Sequence, residues 1–334
     1  MPPPSSVQTA AEQHLASQQE LQTEALLLLD KALQNWSGKP EDWAGQVLEI
    51  GDDLLEIQVS AAAGADAYLA AVLAAQGATP APEGAVSAAA FADLTDGGGS
   101  WLRKLVFAVA AVAEVEAPEL ERALWVARSI VLTGMQDVGR SAVQTAMQAE
   151  PSVSGYVRML NAPSCSRCVI LAGRVYRSAT PFRRHPRCDC RHIPQAEDGD
   201  DWTTSPRGYF NSLTAEEQDE TFGPENAEAI RLGANISQVV NAEQGVTTVS
   251  AYGRELTVTT TGTTVRALFG GYEVLADGTV RRRPDSELRR LPGERYRRTT
   301  ELRLMPDQIF QLAEEFSWDR AETLRQLRRF GYII

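Results

Sequence analysis

The chain has 334 residues, 43% hydrophobic and 23% charged, a balance that supports about two cored domains and excludes wholesale disorder. Its formal net charge of −12 lies entirely in the first half: residues 1–160 hold 8 Lys+Arg against 20 Asp+Glu, and residues 161–334 hold 24 Arg against 24 Asp+Glu. An acidic half repels phosphates and argues against broad non-specific DNA binding, while the Arg-rich half can still meet acidic protein or nucleic acid locally.

The chain opens on a Pro/Ser leader that lacks the basic and apolar regions of a secretory signal. Leu21, Ala25, Leu28, Leu29, Ala32 and Leu33 then recur at helical spacing, and Gly38–Lys39–Pro40 breaks that helix. Val47, Ile50, Leu54 and Ile57 continue the pattern into an Ala-rich helical stretch, Ala61–Ala75. Pro80, Pro82, Gly84 and Gly97–Gly99 make 77–100 a loop. A hydrophobic helix follows over Trp101–Val115; its apolar run, Leu105–Ala113, falls well short of the ~20 residues of a membrane span. Beyond Pro118, the residues Leu120, Leu124, Ala127, Val131, Met135, Val138 and Ala142 trace one face over about six turns. Residues 1–150 are therefore predicted to be a helical domain, a bundle of roughly four to six helices.

Character changes at Pro151. Residues 151–196 are predicted to be a small zinc-stapled module, followed by an α+β region over 197–334, so the fold class is α+β and mostly α. In that last region Thr214–Glu220 starts like a capping box, and Asn226–Leu232 reads as a helix ended near Gly233. Val239–Val240, Val246–Ser250 and Glu255–Thr260 are short β-branched runs, expected as small strands or loops. Residues 281–303 read as an Arg-rich arm. Its cations are either an acidic-partner surface or simply solvated and paired with neighbouring carboxylates. Pro306 starts a helix with Ile309, Leu312, Ala313 and Phe316 on one face, and Ser317 is expected to cap another that stops at Gly331.

The strongest chemical signal is Cys165-x2-Cys168, then His185-x2-Cys188-x-Cys190-x-His192: all four cysteines and two of the three histidines within 28 positions. A Cys-x2-Cys turn presents two thiolates on one side, and a second pair across a loop completes a tetrahedron that suits zinc. Cys165 and Cys168 are the firmest ligands, with the other two from His185, Cys188 and Cys190; His192 ranks last. A thiolate-rich site of this kind is closed and structural. A redox dithiol would need a strand–helix setting that Pro163–Ser164 does not supply, and a catalytic or nucleic-acid-reading zinc site is the remaining alternative. No Gly-x-Ser-x-Gly, Gly-x4-Gly-Lys-Ser/Thr or His-Glu-x2-His motif occurs, and His14 sits in a polar helix, so the residues offer no catalytic set.

Three segments carry a family resemblance. Cys165-Ser-Arg-Cys168-Val-Ile-Leu-Ala-Gly173 with Phe182-Arg-Arg-His185-Pro186-Arg-Cys188-Asp-Cys190 resembles the minor head proteins of tailed bacteriophages of the Mu F-like kind, nearest to versions from actinobacteriophages. Ala229–Gly245 and the Leu304–Ile333 ending fit the same group. One departure is Asn241-Ala-Glu-Gln-Gly245, where an Asn-Ala-Arg-Arg-Gly-like segment is expected. The resemblance covers residues 160–334. It implies a low-copy virion component in the phage head, assembled in the host cytoplasm and placed near the portal. Its implied role is head morphogenesis and DNA packaging or ejection. The implied partners are portal and major capsid protein and, through the Arg-rich half, packaged DNA, with no membrane and no small-molecule substrate. Related phage proteins imply one competing activity, a capsid maturation (prohead) protease, and a DNA-binding module is a third class.

Overall fold

The computed structural model describes residues 3–95, 97–113, 119–160, 164–180, 190–197, 202–251, 253–275, 277 and 279–333. The chain divides into two compact units, residues 1–162 with 172–205 and residues 163–171 with 206–334. The architecture is α+β and mostly helical, with the long helices in the N-terminal region.

The first unit holds α1 (Ser5–Asn35), α2 (Pro40–Ala63), α3 (Ala65–Ala75), α4 (Trp101–Ala113) and α5 (Glu119–Ala149). The apolar period dictates their inner faces: Val7, Ala11, Leu15, Ala25, Leu29 and Ala32 on α1, and Trp43, Val47, Ile50, Leu54 and Ile57 on α2, are buried. α1 begins at Ser5, inside the expected leader, because Ser5 follows an extended Pro4 and Val7 and Ala11 already belong to the buried stripe. Pro40 sits in the first turn of α2, where its missing N–H costs nothing. α5 packs against α1, α2, α3 and α4. Two buried indoles tie helices together: Trp43 Nε1 donates to Leu105 O at 3.2 Å and Trp101 Nε1 to Ile130 O at 3.1 Å.

By length and composition the run Pro40–Ala75 is apolar enough to cross a membrane, but half of its most apolar window is buried inside the unit. Glu41, Asp42, Glu49, Asp52, Asp53 and Glu56 interrupt its outer surface, the pattern of a core helix. Among the described residues of 77–100, the loop carries a 3-10 turn, Ala88–Phe91, and an isolated antiparallel bridge between Leu94 and Ser100.

A small antiparallel sheet completes this unit, with β1 (Val153–Met159) between β2 (Val175–Arg177) and β3 (Arg191–Ala196). Side chains from the helices anchor β3: Gln76 Nε2 donates to Pro194 O at 2.9 Å, while Gln76 Oε1 accepts from Ala196 N at 3.0 Å.

The second unit is built from shorter pieces. α6 (Ser166–Ala172) precedes α7 (Pro206–Ser212), α8 (Ala215–Phe222), α9 (Pro224–Arg231) and α10 (Ile236–Ala242). Thr214 and Glu217 form the expected capping box at α8. Val239–Val240 lie on α10, not on a strand: the Asn235 side chain accepts from Gln238 N and starts a helix whose buried face takes both valines. β4 (Val246–Ala251) and β5 (Arg254–Thr259) form a hairpin, and β10 (Arg303–Leu304) pairs with the other edge of β5.

Between them run α11 (Leu268–Gly271), β6 (Tyr272–Val274), β7 (Val280–Arg282), β8 (Leu288–Arg289) and β9 (Arg298–Thr299). α12 (Pro306–Glu315) and α13 (Arg320–Arg329) close the chain. The cap of α13 is Asp319 rather than Ser317: Ser317 has φ +52 and turns the chain out of α12, while the Asp319 carboxylate accepts from Glu322 N. The buried Arg303 guanidinium joins distant carbonyls, donating to Phe330 O at 2.8 Å and Thr261 O at 2.8 Å.

Candidate metal centre

The described cysteines fall in two places, Cys165 and Cys168 at α6 and Cys190 beside β3. Cys165 is exposed and precedes α6; Cys168 is buried within its first turn. Both belong to the second unit. The turn folds so that Cys168 N donates to Cys165 Sγ at 3.4 Å. A backbone N–H aimed at sulfur favours the thiolate, the form that ligates metal.

Three partners fix this turn within the second unit. Ser164 N donates to the Tyr209 hydroxyl at 3.3 Å. Arg167 donates from Nη1 to Asn241 Oδ1, and the amide oxygen of Gln244, turned toward it, accepts from the same guanidinium at 3.0–3.1 Å. Glu243 lies near Cys165: its carboxyl is pushed up by desolvation and, second, by the charge of that sulfur. The Asn241–Gly245 segment, which departs from the expected basic pattern, thus packs on the Cys165–Cys168 turn. Spacing could not pair Arg167 with Asn241, 74 residues away.

Cys190 and His192 belong to the first unit. Cys190 is buried immediately before β3, and its carbonyl accepts from Arg140 Nη1 at 3.1 Å. Arg140 also pairs with Asp137 at 2.8 Å, one turn back on α5. His192 is buried on β3. Its carbonyl accepts the Tyr68 hydroxyl at 2.6 Å and its ring meets Tyr156 edge-on at 4.3 Å. His185 and Cys188 lie outside the described residues. Among the described residues, no three His, Cys, Asp or Glu side chains are gathered as a metal site.

The residues present fit zinc in their chemistry: the Cys165–Cys168 turn offers two soft sulfur donors, and the Cys168 N–H directed at Cys165 Sγ favours its thiolate form. Held by four such donors, zinc would supply cross-linking, with no open position for a reacting water.

No curated protein and no solved structure matches this chain. A protein family does. The VG15 protein family matches residues 5–216, from the start of α1 through the cysteine segment and into α8. That span is more than half of the chain and includes the N-terminal half, in which the sequence carries no recognisable motif. The chain belongs to the VG15 protein family, a family of viral gene products.

Proposed function

We propose that this protein is a structural minor head protein of a tailed bacteriophage, of the Mu F-like kind, acting in head assembly near the portal and in DNA packaging or ejection. The observation that carries the reading is the viral family match over residues 5–216, a span that takes in both the long helices and the cysteine segment. The motif resemblance of residues 165–190, 229–245 and 304–333 supplies the finer assignment.

Zinc, held by Cys165, Cys168 and two of His185, Cys188 and Cys190, would be a structural brace for this segment. The helical unit docks to portal or major capsid protein. Leu27, Leu48, Phe107 and Trp125 support that role, since they leave 66%, 80%, 62% and 56% of their surface exposed on four different helices, and exposed large hydrophobes are what a protein interface buries.

Electron microscopy of procapsids and mature heads, with the protein labelled, tests this reading. Density at or beneath the portal vertex is expected. Absence from both particles would defeat it.

A further inference from the structure

Guanidinium groups in the second unit commonly find carboxylates: Arg231 pairs with Asp219 and Glu228, Arg254 with Glu315, and Arg329 with Glu301. The β8–β9 hairpin is built differently. Its loop, residues 290–297, is cinched by Arg290, whose Nε donates to Glu294 O at 3.1 Å and Nη2 to Arg295 O at 2.7 Å. Two guanidiniums lie over the Tyr296 ring, Arg266 at 4.9 Å and Arg295 at 5.3 Å, and Arg266 Nη1 also donates to the Tyr296 hydroxyl at 2.7 Å. Val265 N donates to Arg297 O at 3.0 Å, which locks the 264–267 segment against the loop. Val265, Arg290, Arg295, Tyr296 and Arg297 line a cavity of about 400 Å³.

Two carboxylates are nearby: Glu294 pairs with Arg298, and the exposed Asp285 with Arg297 at 3.1 Å. Among the described residues, none reaches Arg266, Arg290 or Arg295. Carbonyls and an aromatic ring hold these three cations in place without neutralising them. In a chain with 44 Asp+Glu, cations suited only to a carboxylate would find one in cis. Fixed, uncompensated charges around a concavity focus positive potential, and planar guanidinium forks match phosphate oxygens.

We propose that the 290–297 loop, with Arg266, is a phosphate-binding site for the backbone of duplex DNA. The site stands on this geometry; DNA as its polyanion rests on the head-protein reading above.

Fluorescence anisotropy of a labelled 20-bp duplex with the full-length protein, between 50 and 200 mM NaCl, tests it. Neutralising about three phosphates predicts a roughly 40-fold loss of affinity across that range, falling to about 4-fold in the R266Q/R295Q variant. That variant keeps Arg290 and its two carbonyl bonds, so the loop stays folded; a thermal melt checks this. R320Q, on α13 and outside the patch, is expected to behave as wild type.

Three results would overturn the proposal: a salt dependence unchanged in R266Q/R295Q, an equal loss in R320Q, or binding of inorganic phosphate without binding of the duplex. Binding of poly-glutamate in place of DNA, abolished in R266Q/R295Q, would also overturn it and assign the patch to an acidic protein. The head-protein reading fails separately, if a protein that binds DNA through this loop is missing from heads.

Discussion

His14 shows how a single residue changes meaning once its neighbours are known. In sequence it is one polar residue of a polar stretch, yet its ring stacks on Tyr68 at 4.1 Å and 8°. Burial, and then the charge of Arg191, pushes its pKa from 6.5 down to about 4. The unfolded chain therefore takes up a proton at this residue near pH 6.5, while the folded chain holds out until about pH 4. Stability is intact above that window and is lost as pH falls through it, by up to about 3 kcal/mol from this residue. Urea unfolding at pH 7 and pH 4.5 should show the loss in wild type and a flatter dependence in His14→Phe, which keeps a ring against Tyr68. Equal dependence in both proteins would remove His14 as the cause.

Among the elements, α5 carries a glycine at a place where helix propensity alone favours alanine by about 1 kcal/mol. At Gly134 a Cβ would run into the indole of Trp101, well inside van der Waals contact. That indole is buried and bonded to Ile130 O. Gly134→Ala should therefore destabilise by about 1–3 kcal/mol and lower Tm; a higher Tm would show that Trp101 can move at little cost. The long helices were legible because their apolar residues keep a 3.6-residue period over many turns. Some short elements were legible too, where a capping box marks α8 or β-branched runs mark β4 and β5; others were not. Two adjacent valines at 239–240 fit a strand or a helix equally well, and only the Asn235 cap decides. β1 was invisible because Val153–Met159 is buried at four consecutive positions, Gly155–Arg158, and so lacks a strand's alternation.

For the whole molecule, the cysteine segment could be read as donors but not as an assembly. Spacing identified Cys165 and Cys168 as neighbours, and in the structure Cys168 N donates to Cys165 Sγ. It could not foresee that Arg167 docks on Asn241 and Gln244, or that Cys190 is held through Arg140, because those contacts arise only when distant segments pack. The zinc proposal has its own measurement. Purified protein is expected to carry about one zinc per chain. Chelation should lower Tm, and Cys165→Ser should lose the metal. Thermal stability unchanged by metal removal would sink it.

The segment 163–171 lies at the middle of the chain yet packs with residues made later, from 206 onward. Arg167 leaves the ribosome 74 residues ahead of Asn241, an interval on the order of 4–15 s at about 5–20 residues per second. During those seconds Cys165 and Cys168 exist without the groups that hold their turn, and oxidation or thiol exchange competes with correct folding. Metal captured at that stage would withdraw both sulfurs from the competition before the second unit closes.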